Sequence, residues 1–159
     1  MIEPILKAQL SRDEGRLLYA YLDSEGYWTI GVGHLLERKK NVARPRMAQI
    51  TDDECDALLA MDVEIAVKAL GRVFTNLHRI DGPRLRAMVN MMFNRGEDAV
   101  EKSTTITPAL KTALDVMSWK RGEEEWKAVG NAILASEWGK QIKARGERLA
   151  KQFETGVDQ

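Results

Sequence analysis

The chain has 159 residues and a formal net charge of +0, because 24 lysines and arginines balance 24 aspartates and glutamates. This length predicts one domain with a sizeable core, and the single cysteine, Cys55, excludes an internal disulfide. No basic stretch with interleaved aromatic residues indicates a nucleic-acid partner, and no apolar run reaches the ~18–20 residues of a transmembrane helix.

The N-terminal helix, expected over residues 1–12, ends in two acidic residues. Asp13 and Glu14 precede Gly15, a residue type that commonly ends helices. Carboxylates there face the negative end of the helix macrodipole, at a cost of about 0.3–1 kcal/mol each. A single glutamate in a chain with 30% charged residues is usually a solvated surface residue. Glu14, however, is unfavourable at this end of the helix and brings no evident gain in local stability, and such residues are often functional.

A hairpin is predicted by the sequence Asp23-Ser24-Glu25-Gly26, which separates two aromatic and β-branched runs. Asp23 follows Glu14 by nine positions. Turn chemistry alone accounts for Asp23, since aspartate bonds its own backbone in turns. Alternatively, a carboxylate at a helix end and another at an adjacent hairpin can face each other across a cleft, and a glycosidase needs such a pair. The spacing leaves both interpretations open.

A long helix is predicted over residues 52–70. Thr51 and Glu54 have the spacing of a capping box at its start, and Gly71 is expected to end it. At ~1.5 Å per residue, this helix would be about 28 Å long. Its expected apolar face consists of Leu59, Val63, Ala66, Val67 and Leu70.

The C-terminal half contains further helical patterns. Pro83 suits a first helical position, and the helix that follows is expected to end at Gly96. Thr107-Pro108 opens the next helix. The residues expected at helical spacing in these two helices are Leu85, Met88, Val89, Met92, Phe93, Leu110, Ala113, Leu114 and Met117.

Three more elements complete the chain. A helix is marked by apolar residues from Trp126 to Ile133, and Ser136 is expected to cap a short turn that contains Trp138. The last helix is predicted from about residue 142 to residue 155, before Gly156.

The four tryptophans allow two interpretations. Trp119, Trp126 and Trp138 lie in helical patterns, where core packing is a better explanation than sugar stacking. Trp28 lies in the hairpin, where it either approaches a sugar or packs against the protein.

Arg145 falls on the apolar stripe of the last helix. It is three positions after Ile142 and four before Leu149. An arginine that leans inward either extends its charged end to solvent or meets a carboxylate. Helical periodicity does not decide between the two.

Residues 12–36 read RDEGRLLYAYLDSEGYWTIGVGHLL and resemble the phage-type lysozyme (endolysin) family, which includes the T-even phage enzyme. The shared features are a DEG triplet at Asp13-Glu14-Gly15, an aspartate nine residues after its glutamate (Asp23), and an EGYxTIGxGH block from Glu25 to His34. A threonine six residues after the aspartate, Thr29, completes the pattern.

The resemblance continues more weakly over nearly the whole chain, although residues 37–50 and 97–125 align poorly. The later matching segments are Met61-Asp62-Val63, Asn90-Met91-Met92-Phe93, Ser136-Glu137-Trp138, Ala144-Arg145-Gly146 and Phe153-Glu154-Thr155-Gly156. It implies a mostly helical α+β fold with two lobes. The small lobe would hold a hairpin sheet (13–50), a helix over 51–70 would connect the lobes, and helix 1–12 would pack on a helical lobe (71–159).

The resemblance also implies a function, hydrolysis of the β-1,4 bond between N-acetylmuramic acid and N-acetylglucosamine in peptidoglycan. Glu14 would be the general acid. Asp23 would activate the attacking water or stabilise the transition state, and Thr29 would hold that water, which predicts inversion at the anomeric carbon. No metal or cofactor is expected, since two scattered histidines and one cysteine do not make a zinc site.

Further residues receive roles from the same resemblance. Substrate-binding residues would be Gly33, Leu35, Phe93, Asn94 and Asn131. Gly33 has an alternative role, which is relief of strain in a short strand. Supporting ion pairs would join Arg145 to Glu14 and His34 to Asp62.

Two other enzymes and one non-enzymatic class compete with this interpretation. A lytic transglycosylase cleaves the same bond but needs no water-activating carboxylate, so Asp23 and Thr29 argue against it. A tail-associated lysozyme would share the chemistry, and a non-enzymatic wall-binding protein would have no reason to keep Asp13-Glu14 at a helix end. Because the N-terminus lacks signal-peptide features, we expect the protein to stay in the host cytoplasm and to depend on a separate holin for release to the periplasmic peptidoglycan. We also expect a monomer.

Overall fold

The computed structural model describes residues 3–40, 42–43, 45–46, 49–116 and 122–159. Within these ranges the chain forms eight α-helices and one three-stranded antiparallel sheet, which is the predicted mostly helical α+β fold. Residue contacts divide it into two compact units, Met1–Ile65 and Ala66–Gln159. The lobe boundaries inferred from the sequence stay a prediction. Met117 and Trp119, to which the sequence assigned packing roles, lie outside the described residues.

The first unit begins with helix α1 (Pro4–Glu14). The Glu3 side chain caps its start by accepting a hydrogen bond from the backbone N–H of Leu6. The helix ends at Gly15, whose φ of 80° belongs to the region that favours glycine. The predicted acidic helix end is therefore confirmed, and it places Glu14 on the last residue of the helix.

The sheet of the first unit has the order β1-β2-β3. Its strands are β1 (Leu17–Leu22), β2 (Trp28–Gly31) and β3 (His34–Leu35). Tyr21 lies opposite Thr29 in the β1–β2 register. The turn between these strands is closed by a hydrogen bond from the Gly26 N–H to the Asp23 carbonyl, so the predicted hairpin is confirmed.

Helix α2 (Asp52–Val73) starts with the predicted capping box. The Glu54 N–H donates to Thr51 Oγ1 at 3.2 Å, and the Thr51 N–H donates to Glu54 Oε2 at 2.7 Å. The predicted end at Gly71 is wrong. A β-carbon built on Gly71 would have open space around it, and the helix continues to Val73, with the backbone N–H of the buried Phe74 donating to the Leu70 carbonyl.

The apolar face predicted for α2 is correct at four positions and wrong at one. Val67 is 48% exposed, whereas the other four residues of the predicted face are buried. Successive side chains in a helix are rotated by about 100°, and this rotation directs Val67 away from the face that Val63 and Leu70 share. The buried face of α2 is therefore narrower than the face predicted from the sequence.

The second unit is helical throughout its described residues. After a 3₁₀ turn (Leu77–Arg79) its helices are α3 (Gly82–Arg95), α4 (Glu97–Glu101), α5 (Ile106–Asp115), α6 (Gly122–Ala135), α7 (Glu137–Ile142) and α8 (Ala144–Thr155). Helix α6 packs closely on α8, where the Trp126 ring stacks on Phe153 with centroids 6.1 Å apart. A β-carbon at Gly130 would lie 2.9 Å from the Ala150 carbonyl oxygen, so this contact requires glycine.

Two details of the second unit differ from the predictions. The last helix begins at Ala144, because Lys143 has a φ of 44° and separates it from α7, which includes Ile142. Leu85 is 36% exposed, although it shares helical spacing with the buried Met88. Among the helices that the structure describes, none combines the length and hydropathy that crossing a bilayer requires.

Candidate active site

Glu14 lies beside the tight turn that joins β2 to β3. A β-carbon built on Gly33 would be 3.8 Å from Cβ, Cγ and Oε2 of Glu14. Gly33 has a φ of 73°, a conformation that other residue types adopt only with strain. This conformation supports the explanation that Gly33 relieves strain in the turn, and its contact with substrate stays a prediction.

Asp23 is held rigidly by the hairpin turn that it begins. Its Oδ1 accepts hydrogen bonds from the backbone N–H groups of Glu25 and Tyr27, both at 2.9 Å. Within the described part of the chain, Oδ2 of Asp23 has no hydrogen-bond partner. One carboxylate oxygen is thus fixed by the backbone, while the second is available to bind a water molecule.

Tyr21 lies in β1, opposite Thr29. Burial raises the pKa of its phenol, and the negative charges of Glu14 and then Asp23 raise that pKa further. Sequence reasoning did not identify Tyr21. The available signal was its position on the strand that enters the hairpin, opposite Thr29.

Thr29 is buried in the middle of β2, with 4% of its surface exposed. Its Oγ1 donates a long hydrogen bond, 3.4 Å, to the carbonyl of Tyr27. Because Thr29 is paired with Tyr21 across the hairpin, its side chain is on the same face of the sheet as that phenol. Its role in holding water stays a prediction.

His34 and Asp62 are brought together by the fold. Nδ1 of His34 lies 2.8 Å from Oδ2 of Asp62, and both side chains are more than three-quarters buried. The contact joins β3 to α2 inside the first unit. A pair that joins two elements of the unit in this way suits a structural role.

Arg145 is buried in the second unit, with 6% of its surface exposed. Its Nη2 and Nε donate to Oδ1 of Asn90 at 2.8 and 3.0 Å, and Nη2 also reaches the Asn90 carbonyl at 3.3 Å. This burial excludes the alternative in which the guanidinium extends to solvent. Asn90 was missed by sequence reasoning, although a polar residue on the buried face of α3 was a visible signal. The pairing of Arg145 with Glu14 stays a prediction.

The other residues with predicted substrate contacts lie at or near the surface. Leu35 is 42% exposed in the first unit. In the second unit, Phe93 is half-buried, and Asn131 is exposed on α6. Asn94 is exposed at its amide, whose Oδ1 accepts a hydrogen bond from Nε1 of Trp138 at 2.8 Å. Their contacts with substrate stay predictions.

The side chains of the first unit provide the groups that acid–base hydrolysis requires. They comprise one carboxyl group at a helix end and a second carboxylate with one anchored oxygen. Among the described residues, no group of three or more His, Cys, Asp and Glu side chains is arranged to hold a metal ion. Two carboxyl groups that flank one bond can supply a general acid and a general base.

Comparison with known proteins gives a consistent result. The sequence profile of the phage lysozyme family matches residues 11–142. "Probable T4-type lysozyme 1" of Dictyostelium discoideum is 30% identical over 96% of this chain and 95% of its own length. The "Endolysin" of Salmonella phage P22 is 38% identical over 62% of this chain and 65% of its own length. "Pre-baseplate central spike protein Gp5" of Enterobacteria phage T4 is 28% identical over 92% of this chain, which covers 27% of that protein.

Proposed function

Because this chain belongs to the phage lysozyme family and is a glycoside hydrolase that degrades peptidoglycan, we propose that it cleaves the β-1,4 bond between N-acetylmuramic acid and N-acetylglucosamine. The observation that carries the proposal is the anchored carboxylate of Asp23, whose Oδ1 accepts two backbone hydrogen bonds, in the same compact unit as Glu14. Two carboxyl groups in one small region, one of them on a rigid turn, are what glycoside hydrolysis requires.

Glu14 acts as the general acid in this proposal. It donates its proton to the glycosidic oxygen as the bond between that oxygen and the anomeric carbon breaks, and the electron pair of the bond stays with the leaving oxygen. The position of Glu14 supports this role, because the adjacent Gly33 leaves one side of the carboxyl group without a covering side chain.

Asp23 acts on the attacking water. The backbone of the turn fixes its Oδ1, so the orientation of Oδ2 is set before substrate arrives. Oδ2 accepts a proton from water while the water oxygen bonds to the anomeric carbon. Thr29 orients the same water, and the hydroxyl group of the product then lies on the face opposite the bond that was broken.

This scheme predicts inversion of configuration. Proton NMR of the first reducing ends formed from a soluble peptidoglycan fragment should show the α-anomer before mutarotation. Initial β-anomer would mean that Asp23 attacks the sugar directly, and the water-holding role of Thr29 would be wrong.

A lytic transglycosylase is the competing chemistry. It would leave 1,6-anhydro ends on muramic acid, whereas hydrolysis leaves reducing ends. The anchored carboxylate of Asp23 favours hydrolysis, since an intramolecular reaction needs no water-activating base. Mass spectrometry of digested peptidoglycan distinguishes the products, and a majority of anhydro ends would overturn the proposed reaction.

We place this activity in host-cell lysis, with the enzyme held in the host cytoplasm as a monomer until a holin opens the membrane. The similarity to a phage endolysin supports this role. Cytoplasmic expression in a Gram-negative host tests it, because turbidity should fall only when a holin is co-expressed. Lysis without holin would contradict the proposed release step.

A tail-associated role is the second candidate. It is favoured by the match of nearly the whole chain to a segment of a baseplate spike protein. Mass spectrometry of purified virions produced with the gene separates the two roles. Stoichiometric retention in particles would support the tail-associated role, and recovery only in the lysate would support the lytic role.

A further inference from the structure

The end of α3 meets α7 in a small side-chain cluster of the second unit. Nε1 of Trp138 donates a hydrogen bond to Oδ1 of Asn94 at 2.8 Å. The guanidinium of the next residue, Arg95, lies over the ring of the same tryptophan, 5.0 Å from the ring centroid. A cation within about 6 Å of an indole centroid is attracted by the negative face of the ring. These three residues, the Arg95 cluster, therefore hold a planar cation on an aromatic surface.

The tryptophan is held in place by the helix that carries it. The Gly139 N–H donates to Oγ of Ser136 at 2.9 Å, which caps the start of α7. A β-carbon at Gly139 would clash with the Ile133 carbonyl, so α7 packs tightly against the end of α6. A guanidinium stacked on this fixed ring has little conformational freedom left to lose when it binds a ligand.

Within the described part of the chain, Arg95 has no hydrogen bond and no acidic partner. The nearby carboxylates have other partners. Oε2 of Glu97 lies 2.6 Å from Nη2 of Arg72, and Oε1 of Glu137 lies 2.6 Å from Nζ of Lys140. Burial lowers the pKa of Arg95, although an arginine stays charged at neutral pH. Partial removal of a cation from water is unfavourable, and a bound anion would offset this cost.

Peptidoglycan carries such anions on its peptides. The lactyl carboxyl group of N-acetylmuramic acid is used in the amide bond to the stem peptide, so the peptide-bearing glycan strand has no free carboxylate of its own. Free carboxylates remain on the stem peptide, at its D-glutamate residue and at its C-terminal end. A guanidinium binds a carboxylate through two parallel hydrogen bonds, which the ammonium group of lysine does not reproduce.

Building on the proposed hydrolysis of peptidoglycan, we propose that Arg95 is a specificity-determining residue that binds a carboxylate of the stem peptide, while Trp138 holds its guanidinium in place. The contact is remote from the bond that breaks. It therefore stabilises the bound substrate and the transition state equally, and its loss should raise KM and leave kcat nearly unchanged.

Two matched substrates test this role. The first is a soluble glycan fragment whose stem peptides have free carboxylates, and the second is the same fragment after those carboxylates have been converted to primary amides. The wild type should have a lower KM for the first. Arg95→Gln should raise that KM by about tenfold, the effect of a lost hydrogen bond to a charged group, and should leave the KM for the amidated fragment unchanged. Arg95→Lys keeps the charge and should restore only part of the difference.

Arg79→Gln is the matched control. Arg79 is an exposed arginine of the same unit and, among the described contacts, forms no ion pair. Its replacement removes the same charge and should preserve the difference in KM between the two fragments. If Arg95→Gln changes KM equally for both fragments, Arg95 has only a structural role and the proposal is wrong. An equal effect of Arg79→Gln would mean that overall charge, not Arg95, selects the substrate.

A binding measurement tests the contact without turnover. The disaccharide N-acetylglucosaminyl-N-acetylmuramyl tripeptide lacks the bond that the proposed reaction cleaves. Its addition should shift the Nε–H resonance of Arg95, identified by its loss in Arg95→Lys, at lower concentrations than its amidated form requires. Equal responses to both forms, or no response to either, would overturn this inference and leave the proposed hydrolysis intact. If digested peptidoglycan contains no new reducing ends, the proposed hydrolysis is wrong, whatever the resonance shows.

Discussion

Replacing Glu14 with glutamine should abolish most activity while making the protein more stable. Glutamine keeps the shape of the side chain but has no proton to donate at neutral pH. General acid catalysis typically contributes about 10²–10⁴ in rate, so turbidity clearing of cell walls should fall by at least about a hundredfold. Purified soluble peptidoglycan fragments should show the same loss in kcat.

The expected gain in stability follows from the position of Glu14. It is the last residue of α1, where a negative charge opposes the helix macrodipole at a cost of about 0.3–1 kcal/mol. For a protein of this size, 1 kcal/mol corresponds to about 2–4 °C in Tm. The Tm of Glu14→Gln should therefore rise by roughly 1–4 °C.

The adjacent carboxylate provides a matched control. The Asp13 side chain is 1% exposed and accepts a hydrogen bond from Nε of Arg12 at 3.0 Å. Asp13→Asn removes the same charge from the same helix end but weakens a buried charged contact. It should lower Tm and retain activity, the opposite of Glu14→Gln. If folded Glu14→Gln loses less than about tenfold in activity, Glu14 is not the general acid. If Glu14→Gln has a lower Tm than the wild type, the negative charge of Glu14 does not destabilise the end of α1.

Three further changes test other parts of the structure. Arg145→Ala should lower the free energy of unfolding by about 1–3 kcal/mol in chemical denaturation, because the buried oxygens of Asn90 lose their donor. If the predicted pairing with Glu14 is correct, the same variant moves the Glu14 limb of the pH–activity profile to higher pH, and an unmoved limb would rule out the pairing. Lys143→Gly should raise the free energy of unfolding by about 1 kcal/mol, since a residue with φ of 44° and ψ of −117° is strained unless it is glycine; an unchanged denaturation midpoint would contradict this. Thr51→Ala should lower Tm by about 2–4 °C through loss of the α2 cap, whereas Thr51→Ser should restore it, and equal Tm values for the two variants would exclude the capping effect.

Local signals in the sequence determined the helix ends and the hairpin turn of the first unit. Gly15 and the Asp23-Ser24-Glu25-Gly26 turn specify backbone conformations through their own chemistry. The capping box at Thr51 is equally local, because its two partners are three residues apart. Features that depend on neighbouring residues alone can be read without knowledge of the rest of the fold.

Other boundaries depended on distant contacts. Gly71 resembles a helix end, yet α2 continues past it toward the buried Phe74. Val67 fits the apolar pattern of α2 but faces solvent. A glycine is only a weak helix breaker, costing about 1 kcal/mol in a helix interior. Burial of one large apolar side chain contributes about 1.5–3 kcal/mol, so tertiary packing decides the outcome.

The sequence by itself also determined which two carboxylates to consider, because Glu14 and Asp23 each occupy a recognisable local position. Only the tertiary structure paired Tyr21 with Thr29 and joined Arg145 to Asn90. Strand register decides which side chains share a face, and Arg145 and Asn90 are 55 positions apart in the chain. Contacts of this kind form only when separate elements pack together, and for that reason no short motif in the sequence encodes them.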